Sequence, residues 1–172
     1  VSFPTALEPV APKIHYQWKD FDSDIDVLYS RFQPRNLLPE VTSNSVIVGI
    51  ERGGVVPAVT LSHKLGIRLE FVKWSNGKYG SQAVYDGEKW YRLMRSLSPN
   101  GVLYLVDDIC DSGRTFASLL EIATSLMGGH FADRIVTLCL WSNVSCEFQV
   151  SDFVNSIDRA TDNRFIVFPW ER

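Results

Sequence analysis

The sequence predicts an α/β fold, a mostly parallel central sheet flanked by helices. Short, continuous, β-branched runs such as Val46–Ile50 and Val102–Val106 read as strands buried on both faces, as parallel strands are. Segments with apolar residues at helical spacing alternate with them along the chain. A length of 172 residues suits one domain with a core that needs neither disulfides nor a structural metal.

Residues 1–14 hold Pro4, Pro9 and Pro12 and read as an irregular arm ahead of a domain spanning 15–172. Ile25, Leu28, Tyr29 and Phe32 share one helical face; Asp22 or Ser23 is the expected cap, and Pro34 the expected stop. Ser45–Ile50 is the first strand of the sheet, followed by the turn Glu51-Arg52-Gly53-Gly54. Val55–Gly66 reads as a helix, with Pro57 in its first turn and Gly66 just past its end. Ile67–Trp74 is a second strand. Ser75–Glu88 is polar and rich in Gly, Ser and Tyr, a loop long enough to be functional. Trp90–Ser96 fits either helix or strand. Val102–Val106 is the most strand-like run, and a helix over about 116–127 carries Leu119, Leu120, Ala123, Leu126 and Met127 on one stripe. Ile135–Trp141 is a further strand, and Val154–Ile157 and Phe165–Trp170 are apolar again.

Composition narrows the classes of function. Apolar residues make up 45% and charged residues 22%, so the chain is neither low-complexity nor disordered. No apolar run approaches the roughly 18 residues of a membrane span. The 17 basic and 20 acidic residues give a net charge of −3, which argues against nucleic acid as a partner. Cys110, Cys139 and Cys146 form no CxxC pair and read as reduced thiols in a cytoplasmic protein. The first residues lack a basic stretch followed by an apolar one, so no secretion signal is expected.

The segment that carries chemistry is LYLVDDICDSGRT, Leu103–Thr115. An apolar strand ends in Asp107 and Asp108, and a turn rich in Asp, Ser and Gly then enters a helix. The C-terminal ends of parallel strands form the ligand crevice, and a helix N-terminus favours an anion. Gly113 allows close approach, and Ser112 and Thr115 can donate hydroxyls, so the turn is a phosphate cup. The Walker lysine pattern is absent, which disfavours nucleoside-triphosphate hydrolysis. Two carboxylates beside a phosphate site suit sugar hydroxyls or a divalent cation. A phosphorylated sugar satisfies both.

LYLVDDICDSGRT closely resembles the phosphoribosyl-pyrophosphate (PRPP) binding motif of the type I phosphoribosyltransferases. VGIERGGVVPAVTLSHKLG (Val48–Gly66) resembles the pyrophosphate loop of the same family, and FIVFPWE (Phe165–Glu171) resembles the base-binding segment of its xanthine-guanine and archaeal purine members. The three occur in the family's order. The resemblance implies a core over about 40–141 and a small hood over about 142–172, joined by the N-terminal segment.

It also implies roles. Asp107 and Asp108 would contact the ribose hydroxyls, with Asp108 holding Mg²⁺. Asp111, Ser112, Gly113, Arg114 and Thr115 would wrap the 5′-phosphate, and Arg52 and Gly53 would bind pyrophosphate, with the Arg52–Gly53 peptide cis. Asp111 would face N7 of a purine and act as the catalytic base. Phe165 would stack on the purine, and the backbone of Ile166 would read its edge. Trp141 stands where 6-oxopurine enzymes usually carry an oxygen-reading lysine, which leaves the acceptor base open. Ser75–Glu88, with Lys78 and Tyr79 at its tip, would close the site, and Lys89 or Arg92 would add a pyrophosphate contact. The expected enzyme is thus a Mg²⁺-dependent purine phosphoribosyltransferase, a homodimer or homotetramer. The alternatives are a transferase for another nitrogen base and a PRPP-sensing regulator without turnover.

Overall fold

The computed structural model describes residues 12–36, 44–74, 87–97 and 101–171. Its centre is a five-stranded, wholly parallel sheet. The strands are β2 (Val46–Glu51), β3 (Arg68–Lys73), β4 (Leu103–Cys110), β5 (Ile135–Asn143) and β6 (Asp152–Ile157), in the order β3-β2-β4-β5-β6. The chain builds outward from β2 to β3, then returns to the other side of β2 with β4. The C-terminal ends of β2 and β4 therefore flank the point where strand order reverses, the usual place for a ligand crevice in an open α/β sheet. Both glycine-containing turns singled out in the sequence start there.

Two helical layers cover the sheet. On one face, α3 (Gly87–Ser96) and α4 (Arg114–Met127) pack Trp90, Met94, Phe116 and Leu119 against Val48, Leu103 and Leu105. On the other, α1 (Trp18–Asn36) and α2 (Val55–Leu65) pack Ile25, Leu28 and Leu61 against Ile47, Tyr104 and Leu138. Among the described residues, no helix is long and apolar enough to cross a membrane.

Several sequence expectations shift. Helix α1 begins at Trp18, ahead of Asp22 and Ser23, because the Asp20 carboxylate reaches back to accept the Gln17 N–H at 3.0 Å. That is half of a capping box. The helix continues through Pro34 to Asn36. The ambiguous segment 90–96 belongs to α3, whose Trp90, Leu93 and Met94 recur at i, i+3 and i+4 and are buried. The polar loop therefore ends at 86, and 75–86, including Lys78 and Tyr79, lies outside the described residues. Gly66 closes α2 in the left-handed conformation, with φ 65°.

The arm is not irregular to its end. Lys13–His15 form β1, which pairs in parallel with β7 (Phe165–Val167) in a separate two-stranded sheet. Phe165 donates its N–H to the Pro12 carbonyl at 3.0 Å, and the Val167 carbonyl accepts from the Tyr16 N–H at 3.1 Å. Of the hood expected over about 142–172, residues 152–157 form β6 of the main sheet instead, so the small sheet is a narrower unit. It rests on the sheet face covered by α1 through Tyr16, Ile166 and Phe168, and Tyr16, Phe168 and Trp170 stand edge-on or stacked within about 6.4 Å of one another.

Candidate active site

Strand β4 runs four residues beyond Val106, so Asp107 and Asp108 lie within a strand and not in the turn after it. Continued pairing with β5, Ile109 against Trp141 and Cys110 against Ser142, holds this extension. The strand changes phase at the two aspartates. Leu103 and Leu105 face the α4 layer and Tyr104 and Val106 the α1 layer, yet Cys110 then joins the former and Ile109 the latter. Regular alternation would give the opposite.

The turn Asp111–Gly113 follows, and Gly113 caps α4 with φ 73°. A side chain there would be strained twice, since a Cβ would also lie 2.3 Å from that of Phe148. Asp107, Asp111, Ser112, Gly113 and Thr115 line a cavity of about 100 Å³ at this helix N-terminus. No acidic residue stands in the first turn of α4, which leaves its N–H groups and dipole for an anion.

Across the crevice, the β2 turn carries a cis peptide at Glu51–Arg52, one bond earlier than Arg52–Gly53. Arg52, Gly53, Phe165, Trp170, Glu171 and Lys13 line a cavity of about 510 Å³. Gly53 packs against Asp108 so closely that a Cβ would sit 2.4 Å from its carboxylate. Asp108 is 5% exposed. Burial and then the Glu171 carboxylate push its pKa up to about 6, and the nearby Trp170 indole N–H partly opposes this without the geometry of a full hydrogen bond. Asp107 is pushed well above the ordinary carboxylate range by burial and then by the charge of Asp108. Hard oxygen donors suit Mg²⁺, which is typically held by one or two carboxylates plus substrate phosphates. Among the described residues no cluster of three or more His, Cys, Asp or Glu could hold a metal.

The structure thus gathers most of the expected residues around one crevice. Phe165 is 54% exposed at the cavity wall. The Ile166 side chain is buried, but because Phe165 N–H and Val167 C=O turn toward β1, the N–H and C=O of Ile166 turn away from it. Arg114 is exposed at the start of α4 and lines neither cavity. Trp141 lies elsewhere, in a cavity of about 230 Å³ with Tyr16, Asp24 and Asn155, and its indole N–H is buried without a partner. Lys89 and Arg92 line another cavity with Arg68 and Glu70 near the β3 edge, and Arg92 pairs with Glu88.

Residues the sequence reading missed complete the site. Lys13 arrives by the β1–β7 pairing, and Glu171 by the short 3₁₀ turn after β7. Arg159, in the loop after β6, donates from Nε to Asp111 Oδ1 at 2.7 Å. Asn143, at the end of β5, donates to the Asp111 carbonyl at 2.9 Å and accepts from the Arg159 N–H at 3.1 Å. No periodicity or motif marks these positions. Glu171 alone fell within a segment already singled out.

A phosphoribosyl transferase domain model matches residues 36–171. The chain belongs to this family. A xanthine-guanine phosphoribosyltransferase of Cereibacter sphaeroides is 27% identical over 91% of this chain and 86% of its own length. The crystal structure of a purine phosphoribosyltransferase from Pyrococcus horikoshii superposes with a TM-score of 0.70 at 27% identity, covering 93% of this chain and 94% of that one. A Helicobacter pylori xanthine-guanine-hypoxanthine phosphoribosyltransferase shares the fold, with a TM-score of 0.65 at 17% identity over 91% and 92% of the two chains. The phosphoribosyltransferase fold expected from the sequence is the one found.

Proposed function

We propose that this phosphoribosyltransferase transfers the 5-phosphoribosyl group of PRPP to a purine base, releasing pyrophosphate and forming a nucleoside monophosphate. One observation carries the reading. A phosphate cup at the N-terminus of α4, lined by half-buried Asp107, is joined through the contact of Gly53 with buried Asp108 to a cavity lined by Arg52 and the exposed Phe165 ring. The purine relatives above, one 27% identical in sequence and one 27% identical with the same fold, support the acceptor class.

The 5′-phosphate lies in the cup, held by backbone N–H groups and the hydroxyls of Ser112 and Thr115. Asp107 and Asp108 accept hydrogen bonds from the ribose hydroxyls. Arg52 holds the pyrophosphate. The bond from C1 to pyrophosphate breaks as a ring nitrogen of the base bonds to C1, through a transition state of oxocarbenium character. Asp108, together with the substrate, would hold Mg²⁺, which would offset charge on the departing pyrophosphate. Asp111 accepts the proton that the base carries at N7. Phe165 stacks on the base and holds it in line with C1.

The test is pyrophosphate release from PRPP and Mg²⁺ with guanine, xanthine, hypoxanthine and adenine, one at a time. Release that depends on a purine is expected. Silence with all four, alongside calorimetric binding of PRPP, would overturn the reading in favour of a PRPP sensor.

A further inference from the structure

We infer that Arg159 is a specificity-determining residue that selects acceptors with an oxygen, not an amino group, at C6. The inference rests on the purine reading of the site, and it starts from three contacts. The Arg159 guanidinium donates from Nε to Asp111 Oδ1 at 2.7 Å and from Nη1 to the carbonyl of Arg164, the residue before Phe165. Its Nη2 has no hydrogen-bond partner among the described residues, so three of the five N–H donors, two of them on Nη2, stay unused there. The guanidinium therefore bridges the carboxylate that faces the base and the strand whose ring stacks on it.

The arrangement is fixed from behind. Asn143, 8% exposed, holds the Asp111 carbonyl with its Nδ2 and accepts the Arg159 N–H at its Oδ1, so one amide ties down both partners through their main chains. The Arg159 side chain is 22% exposed, against 57% for that of Asp111. A guanidinium held at two points, on a backbone that Asn143 anchors, and mostly out of solvent is preorganised, not a mobile surface cation.

Purine geometry supplies the rest. N7 and the C6 substituent project from the same edge of the ring. A carboxylate placed at N7 therefore leaves its cationic neighbour at C6. An oxygen there accepts the free Nη2 donors, whereas an amino group would set donor against donor and leave both unpaired. Trp141, near the end of β5, offers a single neutral donor and lines a different cavity; Lys13 lines the cavity of Phe165 but forms no ion pair with Asp111 among the described residues. The charge that reads the acceptor has been placed on the loop after β6.

Hypoxanthine and adenine, which differ at C6, test this with the intact chain and its R159Q and R159K variants. The wild-type protein should favour hypoxanthine. R159Q should lower kcat/KM for hypoxanthine on the order of 10- to 100-fold more than for adenine, the scale of one good bidentate contact. R159K, which keeps the charge, should recover part of the preference and guards against a folding defect in R159Q. Equal losses with both bases would overturn the inference and reduce Arg159 to a support for Asp111, as would a wild-type preference for adenine. If no base elicits pyrophosphate release, transfer itself is refuted. Calorimetry with IMP and AMP then decides on Arg159: tighter IMP binding that R159Q abolishes sustains the inference, and equal affinities sink it.

Discussion

The proposed phosphate cup and the proposed base wall lie in neighbouring cavities but are built in opposite ways. The cup is local: Asp107–Thr115 is a single stretch from the end of β4 to the first turn of α4. The wall is assembled from Lys13, Arg52, Asp111 with Arg159, and Phe165–Glu171, segments that meet only in the folded chain. A contiguous site can be set by backbone conformation, as Gly113 shows. A composite site depends on pairings between distant segments, so its specificity can change one residue at a time without disturbing the phosphate end.

Substitutions should separate the two regions. The largest effect is expected for Asp111→Asn, where they meet. Loss of a proton acceptor should lower kcat about 10²- to 10⁴-fold while calorimetric PRPP affinity stays within about threefold. A parallel loss of PRPP affinity would mean that the side chain serves the cup alone. Next is Gly113→Ala, with its positive φ and a Cβ placed against Phe148. It should cost about 2–3 kcal/mol of stability in denaturant unfolding and weaken PRPP binding. Retained affinity would show that the cup tolerates backbone shifts.

Asp108 gives a pH-dependent test. Its pKa is pushed up to about 6 in the folded protein, mainly by burial. The folded state therefore binds the proton more tightly than the unfolded state does. The ligand-free protein should lose stability as pH rises from about 4 to about 6, by about 1–3 kcal/mol from this group. Asp108→Asn should flatten that slope in thermal melts and raise the Tm at pH 7.5, while weakening binding of PRPP with Mg²⁺. An unchanged slope would show that another group carries it.

Phe165→Ala should act on the wall alone. The ring is exposed, so stability should hardly move, but KM for the base should rise about 10-fold, as for loss of one stacking contact. A matching loss of PRPP affinity would blur the division between wall and cup. The smallest effect is expected for Trp141→Phe. It removes a buried, unpaired N–H from a separate cavity, so stability should rise by up to about 1 kcal/mol with the ratio of kcat/KM values between bases unchanged. A changed ratio would return Trp141 to the acceptor site.

The same contrast explains what the sequence disclosed. The β4–α4 segment was legible because an apolar run, paired carboxylates and a Gly-bearing turn are consecutive. Even there, the strand was expected to stop at Val106, because two aspartates do not resemble the continuation of a buried strand. Only β5 on the flank explains it. Helix α3 was ambiguous because three apolar residues stand among charges over ten positions. Lys13 was hidden because a three-residue strand has little pattern of its own and its partner is far along the chain. Arg159 and Asn143 act through hydrogen bonds between loops, which leave no periodic trace. Arg52, Gly53 and Phe165 were found through resemblance, not through spacing.

The pairing of β1 with β7 also sets an order of assembly during synthesis. The residue paired with Lys13 is Phe165, so the ribosome makes the first strand about 8–30 s before its partner, at about 5–20 residues per second. The five-stranded sheet and the phosphate cup have all their residues only once β6 ends at Ile157, eight residues and about 0.4–1.6 s ahead of Phe165. A nascent chain can therefore own a phosphate site before it owns a place for a base. The small sheet therefore closes after the larger one can, and the cavity beside Phe165 is completed later than the turn at the start of α4.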